Sequence, residues 1–350
     1  MNIGMAFFGM PPVYNRKFDK AAPSRILEAE LEGRGFTISR ADIASSGDLE
    51  KALSRFRADR IGCVVVFLRH WTRISLVAGL VRSAGVPAAL YAQTSGGFNG
   101  TTALTAASAA LRETASGYFA DSHKRFREGM EEDLCGWAAA ADAYSGLKAS
   151  RLMCWGGFYG ADMPYTRSDP DALEGMLVRE VMTEQEEVLT GRADQILSAG
   201  DKRIGAFLSW LESSGMKITE DGAMVTGAVL KKQASLYIAA RDRLAELSDE
   251  NIRGVSLKCH FELSTTLWKC TGCFLPAFLP FFEGPEGPEK PIPVACEGDL
   301  NGLAGLVMLH ALNRSVPPLF GDFAEYRDDY VLMRNCGASS VYWAGCSDSG

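Results

Sequence analysis

PIPVACEGDLNGLAGLVMLHALNRSVPPLFGDFAEYRDDYVLMRNCG, residues 291–337, is the stretch on which the reading of this chain turns. A short apolar run, 292–296, stops at Glu297-Gly298-Asp299; an amphipathic segment follows over 300–313, and a second apolar run, 317–320, stops at Asp322. The pattern is that of strand, helix and strand, with Asp299 placed to be the N-cap of the helix. Strands joined by such a crossover are parallel, and parallel sheets bind ligands beyond the carboxyl ends of their strands. Glu297 and Asp322 are therefore expected side by side at one sheet edge, where two carboxylates suit a hard divalent cation such as Mg²⁺ or Mn²⁺. The competing reading is a pair of solvated or helix-capping acids.

Working outward, residues 255–259 form another apolar run, and Lys258-Cys259-His260-Phe261-Glu262 follows its exit. Glu262 has two readings: a third acid at the mouth of the site, or a favourable charge at the N-terminus of the segment starting at Leu263. Cys259, His260, Cys270 and Cys273 have some of the spacing of a zinc site. However, adjacent residues of a strand point to opposite faces and a second spaced pair is missing, so buried reduced thiols are the plainer reading. The segment 283–290 is polar and rich in Gly and Pro, a surface connection.

Taken together, CEGDLNG at 296–302, FGD at 320–322, NCG at 335–337 and the LKCHFE element at 257–262 resemble the metal-binding region of the L-fucose isomerase and L-arabinose isomerase family, its fucose isomerase-like branch. The resemblance implies two doubly wound α/β domains of that type and an aldose–ketose isomerase working through an enediol intermediate. It also implies Mn²⁺ or another divalent cation on Glu297 and Asp322, the same two residues taking part in proton transfer. It further implies a small-molecule sugar substrate and a homo-oligomer, trimer or hexamer, with Arg16, Glu262 and Asn335 as substrate contacts. Two departures stand out. Asn335 replaces a His usual in that branch and cannot act as a general acid near neutral pH. The family's C-terminal domain, with its third metal ligand, has no counterpart in the sequence, which leaves a non-catalytic or incomplete sugar- or polyol-binding member as the alternative.

The rest of the chain supports two α/β domains, expected over 1–149 and 150–350. Runs at 2–8, 36–39, 61–67, 88–92 and 118–120 read as strands, with helical patterns at 24–33, 48–57, 74–84 and 101–115 between them. Such alternation implies a parallel sheet covered by helices on both faces. Tyr14-Asn15-Arg16-Lys17 follows the first strand, and the glycine-rich loop 95–100 precedes a helix without P-loop or dinucleotide spacing. His123 falls in a charged stretch and reads as solvated. The second half opens on a strand at 152–155 followed by a glycine-rich turn, then long helical patterns at 193–213 and 228–247. Within 181–184, Thr183 reads as a cap and Glu184 as a first-turn acid.

The 350 residues are 47% hydrophobic and 23% charged, ordinary for a globular chain. A net charge of -7 argues against a nucleic-acid surface. The N-terminus lacks a basic n-region and its apolar run ends at Pro11-Pro12, so it reads as a strand rather than a signal peptide. No apolar segment is long enough to span a bilayer. Nine cysteines, an odd and scattered set, do not make a secreted disulfide framework, and the cytoplasm is the expected compartment.

Overall fold

A computed structural model describes residues 1–9, 22–95, 99–113, 123–158, 168–335 and 339–345. The chain divides into two compact units, Met1–Gly146 and Leu147–Gly350. Both are mixed α/β, with a parallel sheet flanked by helices.

In the first unit, β1 (Asn2–Phe8), α1 (Ala22–Gly33), β2 (Thr37–Ile43), α2 (Ser46–Ala58), β3 (Cys63–Leu68), α3 (Ile74–Ala84), β4 (Ala88–Ala92), α4 (Thr101–Glu113), β5 (His123–Arg127) and α5 (Glu131–Lys148) follow one another. The strands pair in the order β2-β1-β3-β4-β5, all parallel. This is one of the two common doubly wound orders. β1, β3 and β4 are apolar at nearly every position because both of their faces are covered. On one face Met5, Phe7, Val65 and Phe67 pack with Leu27 and Leu31 of α1 and with Leu134 and Ala138 of α5. On the other, Phe8, Val64, Val66 and Leu68 meet Phe56 of α2, Val77 and Leu80 of α3, and Ala107 and Leu111 of α4.

Local chemistry fixes the ends of these elements. Ser45 and Asp48 form a capping box at the start of α2, and the hydrogen bond from Ser45 holds the Asp48 carboxyl below its ordinary range. Gly85, at φ +68, ends α3 in the left-handed conformation that glycine adopts without strain.

One strand differs from the sequence expectation. Residues 118–120 lie outside the described set, and the edge strand is His123–Arg127, the stretch read as solvated. His123 and Phe126 turn inward while Lys124, Arg125 and Arg127 face solvent, as suits a charged edge strand.

The second unit runs β6 (Arg151–Trp155), α6 (Pro170–Met176), β7 (Glu180–Glu184), α7 (Glu187–Ser198), α8 (Lys202–Ser213), α9 (Gly227–Glu246) and β8 (Ile252–Leu257). A wide helical turn, Cys259–Leu267, and α10 (Phe274–Phe278) come next. The short hairpin β9 (Glu283–Gly284) and β10 (Gly287–Pro288) then leads to β11 (Val294–Ala295) and α11 (Leu300–Leu312). A second hairpin, β12 (Asp322–Tyr326) and β13 (Val331–Arg334), follows, and a short 3-10 turn, Val341–Ala344, comes after it.

The sheet of this unit has the order β11-β8-β6-β7, again parallel. Met153, Trp155, Val255 and Leu257 face Leu189, Phe207 and Leu236 on α7, α8 and α9. Phe207 centres an aromatic group there, with ring centroids 4.8 Å from Tyr237 and 5.1 Å from Phe278. Leu152, Cys154 and Ala295 face Leu300, Leu303 and Val307 of α11. The helical pattern at 193–213 breaks into α7 and α8 because Gly200 adopts φ +62 and Asp201 then caps α8, accepting from the Arg203 N–H at 2.8 Å.

The strand–helix–strand reading of 291–337 holds for its first two elements only. β11 joins β8 in parallel, and Asp299 caps α11 through a 2.7 Å hydrogen bond from the Gly302 N–H. The run 317–320 forms no strand. Two consecutive prolines there lack the N–H groups a ladder requires, so the chain cannot continue as an interior strand. Asp322 instead opens a separate two-stranded antiparallel hairpin, and the crossover to a parallel neighbour of β11 does not form.

Candidate functional site

The strands β6, β7 and β8 all deliver chain to the carboxyl edge of the second unit's sheet, where ligand sites of open α/β sheets lie. Beyond β6, Gly156 and Gly157 adopt φ +86 and φ +90 in succession. A side chain at Gly156 would collide with the carboxyl group of Glu186, so glycine is required both by conformation and by space. Beyond β7, Glu186 stands at the N-cap position of α7. Beyond β8 come Lys258 and then the wide turn that carries Glu262. Gly156, Glu186, Lys258, Glu262 and Thr266 line a single recess of about 400 Å³, within the range of small-molecule sites.

The two carboxyls of this recess are driven in opposite directions. Glu186 is 4% exposed, its Oε1 is buried without a hydrogen-bond partner, and its pKa is pushed up to about 7, by burial first and then by the charge of Glu262. Glu262 is exposed and held below the ordinary carboxylate range. Its own backbone N–H and the Lys258 ammonium, at 3.1 Å, are the main causes. The Phe261 N–H also donates to Glu262, at 3.1 Å. Glu262 thus stands at the start of the wide turn and lines this recess, whose walls include neither Glu297 nor Asp322. A carboxyl that titrates near neutrality, beside an ionised carboxyl and an ammonium, is an arrangement suited to acid–base chemistry.

Glu186 escaped the sequence reading. It sits in an acidic run, 184–187, that reads as a helix start, and only its position just after a strand's carboxyl end, opposite a Gly-Gly turn, distinguishes it. Glu184 was read as a first-turn acid but belongs to β7. It accepts from Arg243 and from Trp155 Nε1, the latter at 3.1 Å, and so ties α9 to the sheet beneath the site.

A second, smaller cavity, about 170 Å³, lies against the exits of β8 and β11 and is lined by Cys259, His260, Cys273 and Cys296 among others. The Cys259 thiol is drawn below its ordinary range, chiefly by the neighbouring Cys296. Burial raises the pKa of Cys273, which donates to Thr271 Oγ1 at 3.1 Å. Glu297 reaches its position through a left-handed backbone, φ +62, followed by Gly298 at φ +69.

The remaining sequence candidates do not converge on these recesses. Glu297 follows β11 in the parallel sheet, whereas Asp322 is exposed at the start of the separate hairpin. Asn335 donates to the Phe320 carbonyl at 3.5 Å, bracing that hairpin. Arg16 lies outside the described residues. Among the described residues no group of three or more His, Cys, Asp or Glu side chains is disposed to hold a metal ion, which covers the zinc reading of Cys259, His260, Cys270 and Cys273 as well. The donor set therefore does not fit the expected Mn²⁺ centre, and Glu297 and Asp322 are not assigned here as its ligands. Among the described residues no helix is long and apolar enough to cross a membrane.

No protein-family model matches the chain, and no curated protein matches it. Among solved structures, it is aligned with a LacI family transcriptional regulator from Lactobacillus casei with bound sucrose. The identity is 10%, over 95% of this chain and 98% of that one, with a TM-score of 0.22. A likeness at that level carries no argument. The resemblance to the L-fucose and L-arabinose isomerase family is therefore corrected: neither comparison of sequence supports it, and the Asp322 half of its defining motif does not lie on a parallel neighbour of β11 as that reading requires.

Proposed function

We propose that this chain is an acid–base enzyme that moves a proton on a small polar carbonyl compound, an aldose–ketose interconversion being the reaction of this class we favour. The observation that carries the reading is Glu186, a buried carboxyl whose pKa of about 7 lets it both take and return a proton near neutral pH. In the carboxylate form it would remove the proton from C2 of an α-hydroxy aldehyde; in the acid form it would deliver that proton to C1 of the enediol, while the hydroxyl proton passes between O2 and O1. Lys258 supplies positive charge for the oxygen on which negative charge develops. Glu262 keeps the ammonium oriented through the 3.1 Å ion pair. No step is routed through Mn²⁺, because the residues present do not assemble a centre for it.

The test is solvent exchange. A panel of aldoses and ketoses incubated with the chain in D₂O, with and without added Mn²⁺, is followed by proton NMR. Loss of the C2 signal and appearance of the isomer, abolished in Glu186→Gln, is the expected result. Exchange undiminished in Glu186→Gln refutes the assignment. Saturable sugar binding with no exchange makes the chain a polyol-binding protein instead.

A further inference from the structure

We propose that the recess at Glu186 takes a cationic polyol: an amino sugar whose ammonium group, on a carbon remote from the carbonyl, is received by the carboxyl groups of Glu186 and Glu187. This rests on the reading of the recess as the substrate site and names the class of compound that fits it. Among the described residues, the charged lining of the recess is three carboxyl groups, Glu186, Glu187 and Glu262, against one ammonium, that of Lys258. Lys258 is already committed, since Glu262 holds it at 3.1 Å. Two carboxyl groups on consecutive residues are left to meet a ligand. An anionic ligand is repelled there, and a neutral one leaves the charge uncompensated.

The plainer account of two acids at the start of a helix is that they cap it and complement its dipole. Glu187 suits that account, being exposed and in the first turn of α7. Glu186 does not. Asp169, Asp201, Thr226 and Asp299 stand at the N-cap positions of α6, α8, α9 and α11, and the side chain of each accepts a hydrogen bond from its helix. Glu186 stands at the same position of α7 and makes no such bond. It is 4% exposed, and its Oε1 is buried with no donor. A buried carboxyl oxygen without a donor is costly until a ligand supplies one. An ammonium supplies three N–H donors and the opposite charge. Backbone keeps the space open, since Gly156 lies against the Glu186 carboxyl where even a methyl group would collide. The remainder of the ligand is a polyol because Gln185 and Thr266 line the same recess, both exposed, with an amide and a hydroxyl that donate and accept as sugar hydroxyls do.

The experiment uses the full chain and probes of one carbon skeleton, none with a carbonyl: glucamine, which is cationic, sorbitol, which is neutral, and sorbitol 6-phosphate, which is anionic. Ethanolamine is added as a cation without the polyol, because a chain of net charge -7 attracts cations diffusely. Calorimetry at pH 7 should show saturable binding of glucamine about tenfold tighter than sorbitol or ethanolamine, with sorbitol 6-phosphate weakest. Glu186→Gln and Glu187→Gln should each weaken glucamine about tenfold and change sorbitol by less than about twofold. Sorbitol or ethanolamine as tight as glucamine, the phosphate tightest, or no binding of any probe overturns the proposal. So does glucamine affinity unchanged in both variants. The wild-type series decides on its own if a variant fails to fold. None of these probes can isomerise, so the result is separate from the D₂O test. Exchange on neutral aldoses without a preference for glucamine sinks the cationic class alone; a preference for glucamine without exchange sinks the proton-transfer reading alone.

Discussion

Replacing Glu186 with glutamine should stabilise the protein at neutral pH and leave it unchanged in acid. The Glu186 carboxyl has its pKa raised from the ordinary 4.5 to about 7, chiefly by burial. Below pH 4.5 both the folded and the unfolded chain hold the proton, and the side chain costs nothing through ionisation. Between 4.5 and 7 the unfolded chain releases the proton while the folded chain retains it, so the folded state binds more protons and stability falls as pH rises. Above 7 both are ionised and the penalty is complete. The interval corresponds to about 3 kcal/mol, of which about 1–3 is the expected gain for a neutral, isosteric glutamine at pH 8. Urea denaturation of both proteins at intervals from pH 4 to pH 9 measures it. A difference in stability that does not change over this range would show that Glu186 titrates as an ordinary surface carboxyl. The acid–base role assigned to it would then lose its basis. The same substitution should abolish proton exchange, so that stability is gained where activity is lost, as at other strained sites.

Gly156→Ala should cost about 1–3 kcal/mol in thermal denaturation and depress exchange together, since the new methyl meets the Glu186 carboxyl and φ is +86. Arg243→Ala should destabilise by about 2–4 kcal/mol, because Glu184 loses its main partner while still mostly buried; urea denaturation would contradict this if the loss were under about 0.5 kcal/mol. Asp322→Asn should leave melting temperature and sugar exchange unaltered, its carboxyl being exposed on the hairpin. Calorimetry with Mn²⁺ checks the same residue: a binding heat lost in both Glu297→Gln and Asp322→Asn would restore the carboxylate pair, although Asp322 stands on a hairpin outside the parallel sheet.

Much of the architecture was legible because it rests on strong local signals. β1 and β4 are recovered residue for residue, since strands covered on both faces are continuous apolar runs between turn residues. β5 was missed because an edge strand needs only two inward residues, His123 and Phe126, and its remaining charges mimic a loop. The final strand of the crossover was mistaken for a buried one because apolarity outweighed Pro317-Pro318, whose missing donors decide the matter. The site was legible only in part. Glu262 could be placed at a strand exit, but its approach to Glu186 joins residues 76 positions apart, and nothing in a linear pattern encodes the burial that shifts the Glu186 carboxyl.

The interior position of β1 in its sheet has a consequence for synthesis. The ribosome delivers the chain from the N-terminus at about 5–20 residues per second. The strand Asn2–Phe8 has both its partners, Thr37–Ile43 and Cys63–Leu68, among the residues made soon after it. β4 and β5 then add in order to the β3 side, so each new strand finds a finished neighbour waiting. No strand of the first unit depends on the second half of the chain. The N-terminal sheet can thus close vectorially while translation of the β6–β8 region is still under way, sparing its apolar strands from encounters with the similar runs that emerge later.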